Sequence, residues 1–292
     1  MKLLVVGGSG FLGGYVLREA VRQGHQVLAL ARSSDAAAAV EGNGARPLAG
    51  DLDDACRLDE AFLAARCEAL VCLASLGRGH GPGIVAAAEE AGIPRAAFVS
   101  TTAVTTSLHP PTKKVRLNAE EQIRRSGLDW TILRPTMIYG AAGDRNLSRL
   151  LPLLKRAPVL PVPGSGKCLH QPVHVADVAT AVLSALHRPV AIGSLYNVAG
   201  PEPLPFTELL HTCARAVDSR TRLFPVPLAP LVTLAQGYER LSRHPRIRAE
   251  QLLRLAEDKA FGIDDAIRDL GYAPRSFADG ILDEARALGI AA

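Results

Sequence analysis

Aromatic side chains are scarce, with one Trp and seven Phe in 292 residues. That leaves no platform of rings on which nucleic-acid bases could stack. A strong charge of one sign is missing as well. The net charge is +4 and the sequence pI is about 8.9. This excess suits an anionic small molecule such as a nucleotide, but is too small and too dispersed for a nucleic-acid surface. No C-x-x-C pair occurs among Cys56, Cys67, Cys72, Cys168 and Cys213. Their odd number and spacing read as reduced, mostly packed thiols, with no metal site. No apolar run is long enough to span a bilayer, since 223–235 is interrupted by Pro225, Pro227 and Pro230. The first apolar run ends in glycines that belong to the fold, so no secretory signal is expected and the cytoplasm is the expected location.

The apolar share is 48% and the charged share 21%, ample for a buried core in one large domain or two lobes. The chain is organised around Val5-Val6-Gly7-Gly8-Ser9-Gly10-Phe11-Leu12-Gly13-Gly14. A short apolar run leads into it and a helical pattern over 13–23 leads out. The stretch therefore reads as strand, glycine-rich turn, helix. Gly7, Gly10 and Gly13 give G-x-x-G-x-x-G. Such a turn brings backbone N–H groups and a helix N-terminus up to a dinucleotide pyrophosphate. Gly7 permits the tight turn, Gly10 leaves room for phosphate, and Gly13 lets helix pack on strand. A ligand-free glycine turn is the plainer alternative, yet the flanking strand and helix are the context a cofactor site requires.

A second strand over 25–32 ends at Arg32, followed by Ser33 and Ser34. An acidic residue there would bind the ribose 2′-hydroxyl of NAD. A cation with hydroxyls suits a 2′-phosphate, so NADP(H) is expected in preference to NAD(H). A solvated arginine at a strand end is the alternative. Strands over 46–52, 69–74 and 96–100 then alternate with helices over 54–65 and 84–91. This spacing predicts an α/β fold, a Rossmann doubly wound parallel sheet with a small mixed C-terminal lobe. Ligands should collect at the strands' carboxyl ends. Those ends carry Ser9, Phe11 and Leu12 in the first turn, then Arg32 and Ser33, Asp51 and Leu52, Leu73, Ala74 and Ser75, and Ser100, Thr101 and Thr102. A basic helix over 113–126, a strand over 130–135 and a helix over 147–154 come next. Further on lie helices over 177–186 and 207–217, the latter capped by Thr207, with a strand over 195–198 between them. The cofactor domain is expected over 1–155 and a substrate-binding lobe over 156–292. The two are interleaved, with the strand near 195–199 returning to the first sheet.

Several stretches occur together in this order: Gly7-x-x-Gly10-Phe11-Leu12-Gly13, Gly50-Asp51-Leu52, Leu73-Ala74-Ser75 and Val99-Ser100-Thr101-Thr102. Leu133-Arg134-Pro135-Thr136-x-x-Tyr139-Gly140 and His174-Val175-x-Asp177-Val178-Ala179 follow. The chain resembles the extended and atypical short-chain dehydrogenase/reductases, specifically the NAD-dependent epimerase/dehydratase group, best over about 2–200. The resemblance implies a small-molecule substrate, often a nucleotide sugar, and places Pro135 and Thr136 beside the cofactor. It also implies Ser/Thr, Tyr and Lys at the reacting carbonyl, the last two as Y-x-x-x-K. The phenol is the acid/base, and the lysine lowers its pKa and holds the nicotinamide ribose.

Thr102 stands at the hydroxyl position. The Y-x-x-x-K pair is absent, and no tyrosine lies between Tyr15 and Tyr139. Counting back from Ser126-Gly127 puts Thr112 at the tyrosine position and Arg116 at the lysine position. Counting from Ala119-Glu120 gives Lys114 and Asn118 instead. Lys113 or Lys114 could reach the nicotinamide side, with a lysine, Tyr139 or water handling the proton; Arg116 could bind ribose hydroxyls or phosphate, and Tyr139 is a spare phenol near a strand end. A packed aromatic and a solvated helix face are the plainer alternatives for Tyr139 and Lys113. His170 stands where related sugar-nucleotide enzymes often carry an arginine, with Lys167 nearby. His174 and Asp177 read as braces of the lobe junction. Arg145 and Asn146 are candidate substrate contacts. The stretch 147–160 reads as a lobe-packing helix before a membrane-surface one, and a homodimer is compatible with the chain. The expected activity is an NAD(P)-dependent oxidoreductase or epimerase acting on a hydroxyl or carbonyl. The alternative is an NADP(H)-binding redox sensor or assembly protein without turnover.

Overall fold

A computed structural model describes residues 1–108, 110–140, 143–144, 146–242 and 249–291. The first half alternates strand and helix. It runs β1 (Lys2–Val6), α1 (Phe11–Arg22), β2 (Gln26–Ala31), α2 (Ser34–Glu41), β3 (Arg46–Ala49) and α3 (Ala55–Ala65), then β4 (Ala69–Cys72), α4 (Gly81–Glu90), β5 (Arg95–Val99), α5 (Pro111–Arg125) and β6 (Asp129–Pro135). The second half runs β7 (Ile138–Tyr139), α6 (Leu147–Arg156), β8 (Val159–Pro163), β9 (Leu169–His170), β10 (Val173–His174), α7 (Val175–His187), β11 (Ser194–Val198), β12 (Leu204–Pro205), α8 (Phe206–Ala216), β13 (Arg222–Val226), α9 (Leu228–Leu241), α10 (Ala249–Leu255), α11 (Asp264–Leu270) and α12 (Phe277–Ala287). No described helix is long and apolar enough to cross a membrane.

Seven strands form one parallel sheet in the order β11-β6-β5-β4-β1-β2-β3. Leu3 to Val6 are wholly buried, as expected of a strand covered on both faces, where apolar residues run continuously instead of alternating. Leu3 and Val5 face a core shared with Val16 and Leu17 of α1, Val178 and Val182 of α7 and Leu270 of α11. Leu4 and Val6 face the other core, with Leu58 and Phe62 of α3, Ile84 of α4 and Ile123 of α5. The helices are started by local chemistry. The Ser33 hydroxyl accepts the Ala36 N–H, and the Asp54 carboxylate accepts the Arg57 N–H, satisfying helix N–H groups that lack an intrahelical partner.

The strand expected near 195–199 is β11, paired with β6. A simple cut at residue 155 does not follow the packing. It falls inside α6, whose Leu147, Leu151 and Leu154 join Leu209, Leu210, Phe277 and Ile281 in the core of the second lobe. In contrast α7 and α11, far beyond that cut, belong to the cofactor lobe. Thr207 is not a cap: α8 starts one residue earlier, after Pro205, and the Thr207 hydroxyl donates to the Gly166 carbonyl at 3.3 Å.

Candidate active site

The glycine turn forms a cradle at the carboxyl end of β1. Gly7 has φ of +89°, which permits the tight turn. A Cβ on Gly13 would run into the carbonyl oxygens of both Gly7 and Gly8. The turn is closed by the Gly10 N–H on the Gly7 carbonyl at 3.2 Å. Ser9 and Gly10 are exposed, and Phe11 and Leu12 half-buried. Gly10 caps α1 with no side-chain hydrogen bond and no acidic residue in the first turn. That leaves the positive end of the helix open to an anion, as a pyrophosphate requires. The turn lies against β4, since a Cβ on Gly7 would sit 3.0 Å from the Ala74 N. Leu73 and Ala74 are half-buried beside it and Ser75 is exposed.

A cavity of about 380 Å³ opens at the ends of β2 and β3, lined by Arg32, Leu48, Asp51, Arg57, Glu60 and Ala61. Its apolar floor with charged rims fits a purine and its ribose. Arg32 is exposed at its mouth, and Leu52 is half-buried beside Asp51. Ser33 spends its oxygen on the α2 cap, leaving its proton available.

Thr102 is buried at the end of β5 and opens a short 3-10 turn, Thr102–Thr105, capped by the Thr101 hydroxyl on the Ala103 N–H. The Thr102 hydroxyl donates to the Pro135 carbonyl at 3.3 Å, tying β5 to β6. Lys113 is half-buried, and its Nζ donates to the Thr106 carbonyl at 2.5 Å. One of its three N–H groups is thus engaged near the Thr102 turn. Between the two counts along α5, packing favours the first. Lys114 and Asn118 are exposed, whereas Arg116 is half-buried and lies against Gly77, beyond the end of β4. Arg116 Nη1 donates to the Thr112 hydroxyl one turn earlier, at 2.9 Å.

Tyr139 is not at the cleft. It has no exposed surface, packs edge-on to His174 and Phe277, and would meet a Cβ on Gly280. Its hydroxyl finds no partner among the described residues, and burial pushes the phenol far above its ordinary range. A group so sealed and so weakly acidic is no proton donor for a substrate. The Ser100 and Thr136 hydroxyls are both engaged within the protein. The Ser100 hydroxyl donates to Glu120 at 2.5 Å. The Thr136 hydroxyl donates to the Gln171 carbonyl and its N–H to Val198. His170 is no phosphate ligand: its Nε2 is 3.2 Å from the Leu255 carbonyl, and burial lowers its pKa to about 4. Lys167 is exposed. His174 and Asp177 do brace the junction. The His174 Nδ1 accepts the Ala176 N–H, while Asp177 takes a two-point ion pair and a backbone N–H from Arg275. Arg145 lies outside the described residues, and Asn146 leads into α6.

Two groups that the motif positions do not reveal support the site from behind. Glu120 is 1% exposed and receives Arg134 through Nε at 3.0 Å and through Nη2. With Ser100, this pair locks α5 to β5 and β6. Glu257 accepts hydrogen bonds from the Thr106 hydroxyl at 2.5 Å, the Ser107 N–H at 2.9 Å and the Ser107 hydroxyl. It clamps the loop after Thr102 to the second lobe. No local pattern reveals the contacts of these carboxylates with Ser100, Arg134, Thr106 and Ser107, because those partners are remote in sequence.

The match of the NAD(P)H-binding family model spans residues 7–189, from the glycine turn through α7. The chain belongs to the NAD(P)H-binding family. A ketoreductase of Stigmatella aurantiaca, named for 4-hydroxy-2-methyl-3-oxo-4-farnesyl-3,4-dihydroquinoline-1-oxide, is 28% identical, over 99% of this chain and 97% of that one. The photosystem II assembly factor Ycf39 of a Synechocystis strain is 26% identical, over 79% of this chain and 72% of that one. The crystal structure of a UDP-glucose 4-epimerase from Thermotoga maritima superposes with a TM-score of 0.77 at 17% identity, covering 99% of each chain. At that identity it establishes the Rossmann fold with its second lobe, and no more.

Proposed function

We propose that this protein is an NADP(H)-dependent oxidoreductase that reduces a ketone on a small molecule. The observation that carries the reading is the uncapped N-terminus of α1, opening on the same sheet edge as the Thr102 turn and Lys113. The residues present fit a dinucleotide: Gly7, Ser9, Gly10, Phe11, Leu12 and Gly13 would hold the pyrophosphate, and Asp51 and Leu52 the adenine end. Arg32 with Ser33 supports the choice of NADP(H), because a guanidinium and a hydroxyl match a 2′-phosphate. When bound, the dinucleotide supplies the hydride that reaches the carbonyl carbon. Thr102 orients the carbonyl oxygen, Lys113 gives it a proton, and Arg116 stands over the ribose side. A near full-length relative named as a ketoreductase supports ketone reduction ahead of epimerisation of a nucleotide sugar. The free thiols suit a reducing cytoplasm.

The missing phenol favours one rival, a protein that holds NADP(H) and assembles other proteins without turnover. One experiment separates them. Purified protein is incubated with 4-deuterated NADPH and a panel of ketones, and the products are analysed by mass spectrometry. Deuterium on the carbinol carbon, lost in Thr102→Val, is the expected result. Tight NADPH binding with no transfer to any ketone refutes the oxidoreductase.

A further inference from the structure

One peptide group joins the two lobes beside the Thr102 turn. Its carbonyl belongs to Thr106 and accepts the Lys113 Nζ at 2.5 Å. Its N–H belongs to Ser107 and donates to a Glu257 carboxyl oxygen at 2.9 Å. The same carboxylate accepts the Thr106 hydroxyl at 2.5 Å and the Ser107 hydroxyl. A peptide group is planar, so fixing its N–H also fixes the direction of its carbonyl. Hydrogen bonds at the two ends of one amide polarise it in the same sense and strengthen each other. The gripped peptide follows directly on the 3-10 turn Thr102–Thr105, whose Thr105 hydroxyl donates to the Thr102 carbonyl at 2.8 Å. The backbone that carries Glu257 is itself pinned. On one side the Cys168 thiol donates to the Ala256 carbonyl at 3.1 Å. On the other, Asp258 accepts the Leu169 N–H at 2.8 Å and the Lys259 N–H donates to the Leu169 carbonyl at 2.7 Å. Glu257 is therefore a carboxylate held out from the start of β9 onto the loop that holds Lys113.

We propose that Glu257 is the positioning residue for the proton donor, holding Lys113 at the Thr102 turn through the peptide between Thr106 and Ser107. This rests on the oxidoreductase reading above. An ammonium on a flexible four-carbon stem has many rotamers, and a hydrogen bond to a mobile carbonyl would not select among them. A carbonyl fixed through its own peptide N–H does select. It engages one N–H of the Lys113 Nζ and leaves two, one of which is free to meet the ketone oxygen that Thr102 orients. Glu257 belongs to the second lobe and Lys113 to the cofactor lobe, so the donor is set only while the second lobe is docked on the loop.

The test uses the full-length protein and two readouts. The first needs no turnover. Lysines are acetylated briefly with acetic anhydride, and Lys113 is compared with the exposed Lys114 by fragment-ion mass spectrometry. Glu257→Ala is expected to raise the labelling of Lys113 over Lys114 about fivefold, the worth of one net hydrogen bond. Glu257→Gln keeps an oxygen for the Ser107 N–H and returns the ratio towards that of the parent. The second readout is NADPH-dependent reduction of a ketone the parent turns over. Glu257→Ala should lower kcat at least about tenfold, as a misplaced group does, with KM little changed. Glu257→Gln should recover most of the loss. In a Lys113→Met background, Glu257→Ala should have no further effect on kcat. Ser107→Pro removes the same N–H without touching Glu257, and the extended Thr106, with ψ of 143°, suits the residue before a proline. It should match Glu257→Ala in both readouts, and carries the test if that variant does not fold. Parental labelling of Lys113 in these variants overturns the proposal. So does an equal loss of kcat with and without Lys113, since Glu257 would then support only the fold of the loop. A parent that reduces no ketone refutes the oxidoreductase, while the labelling still decides whether Glu257 holds Lys113.

Discussion

Glu284 on α12 gives the protein a calculable dependence on pH. Its side chain has no exposed surface, and one carboxyl oxygen accepts the Gly140 N–H at 3.1 Å. Beside it, Asp144 accepts the N–H groups of Asn146, Leu147 at 3.0 Å and Ser148 at 3.2 Å at the start of α6. Burial first, and Asp144 second, push the Glu284 carboxyl up from 4.5 to about 8. The folded pKa therefore lies above the unfolded one. The stabilisation it gives is complete below about 4.5 and is lost as pH rises through about 8. At pH 7 the unfolded carboxyl is ionised and the folded one is not. A gap of roughly 2.5 pH units at 1.36 kcal/mol each puts the loss at about 3 kcal/mol. Glu284→Gln keeps an acceptor for Gly140 and removes the titration. Urea unfolding of both proteins at pH 5, 7 and 8 measures the effect. The variant should gain on the parent steadily from pH 5 upward, by about 3 kcal/mol at pH 7. Parallel stability curves for the two proteins across that range would refute the reasoning.

Gly13→Ala should cut NADPH affinity at least tenfold in a fluorescence titration. The added methyl meets two backbone oxygens of the turn, and strain of about 1–3 kcal/mol falls on the phosphate cradle. Unchanged affinity would show that the turn does not hold the cofactor. Glu120→Ala should cost about 3–5 kcal/mol in chemical denaturation, because Arg134, with 15% of its side chain exposed, is left as a buried charge without its partner. A loss below about 1 kcal/mol, the scale of an exposed pair, contradicts that account. Arg32→Ala should reduce the stabilisation of the protein by NADPH and leave that by NADH unaltered, with about a tenfold loss in NADPH affinity. Equal stabilisation by both cofactors before and after the change removes the basis for NADP(H).

The sheet was legible because a parallel strand buried on both faces leaves a continuous apolar run, and Leu3 to Val6 and Ala69 to Cys72 are such runs. The cradle was legible because the backbone geometry itself demands glycine at 7 and 13. What stayed hidden depends on contacts remote in sequence. Tyr139 sits in a two-residue strand, too short for any alternation to show whether its ring faces the cleft or the second lobe. The partnership of α7 with α1 and β1 crosses more than 150 residues and leaves no local period. Glu120 and Arg134 lie fourteen residues apart, on α5 and β6; each reads alone as a surface charge. Which lobe each helix joins was hidden for the same reason, since α6 and α7 are both amphipathic or apolar helices and only packing tells which core each one joins.

The missing phenol bears on which group handles the proton. A phenol pair can take a proton from an alcohol or return one to a forming alkoxide. The groups near the Thr102 turn differ in whether they can do so. The Arg116 guanidinium gives up no proton at working pH, and Thr112 is a weak acid bound to it. Lys113 carries N–H donors and no acceptor, and one of those donors is spent on the Thr106 carbonyl. Reduction needs a donor at the oxygen, while oxidation needs a base. On the reading proposed above, Lys113 as an ammonium would be the donor for reduction, and the amine it becomes would be the base for the reverse step. Lys113→Met should lower the rate of NADPH-dependent ketone reduction by about 10²-fold or more, the usual worth of a positioned acid. NADPH affinity and melting temperature should change little, which separates proton donation from support of the loop. Full reductase activity in that variant would show that the proton travels by another route.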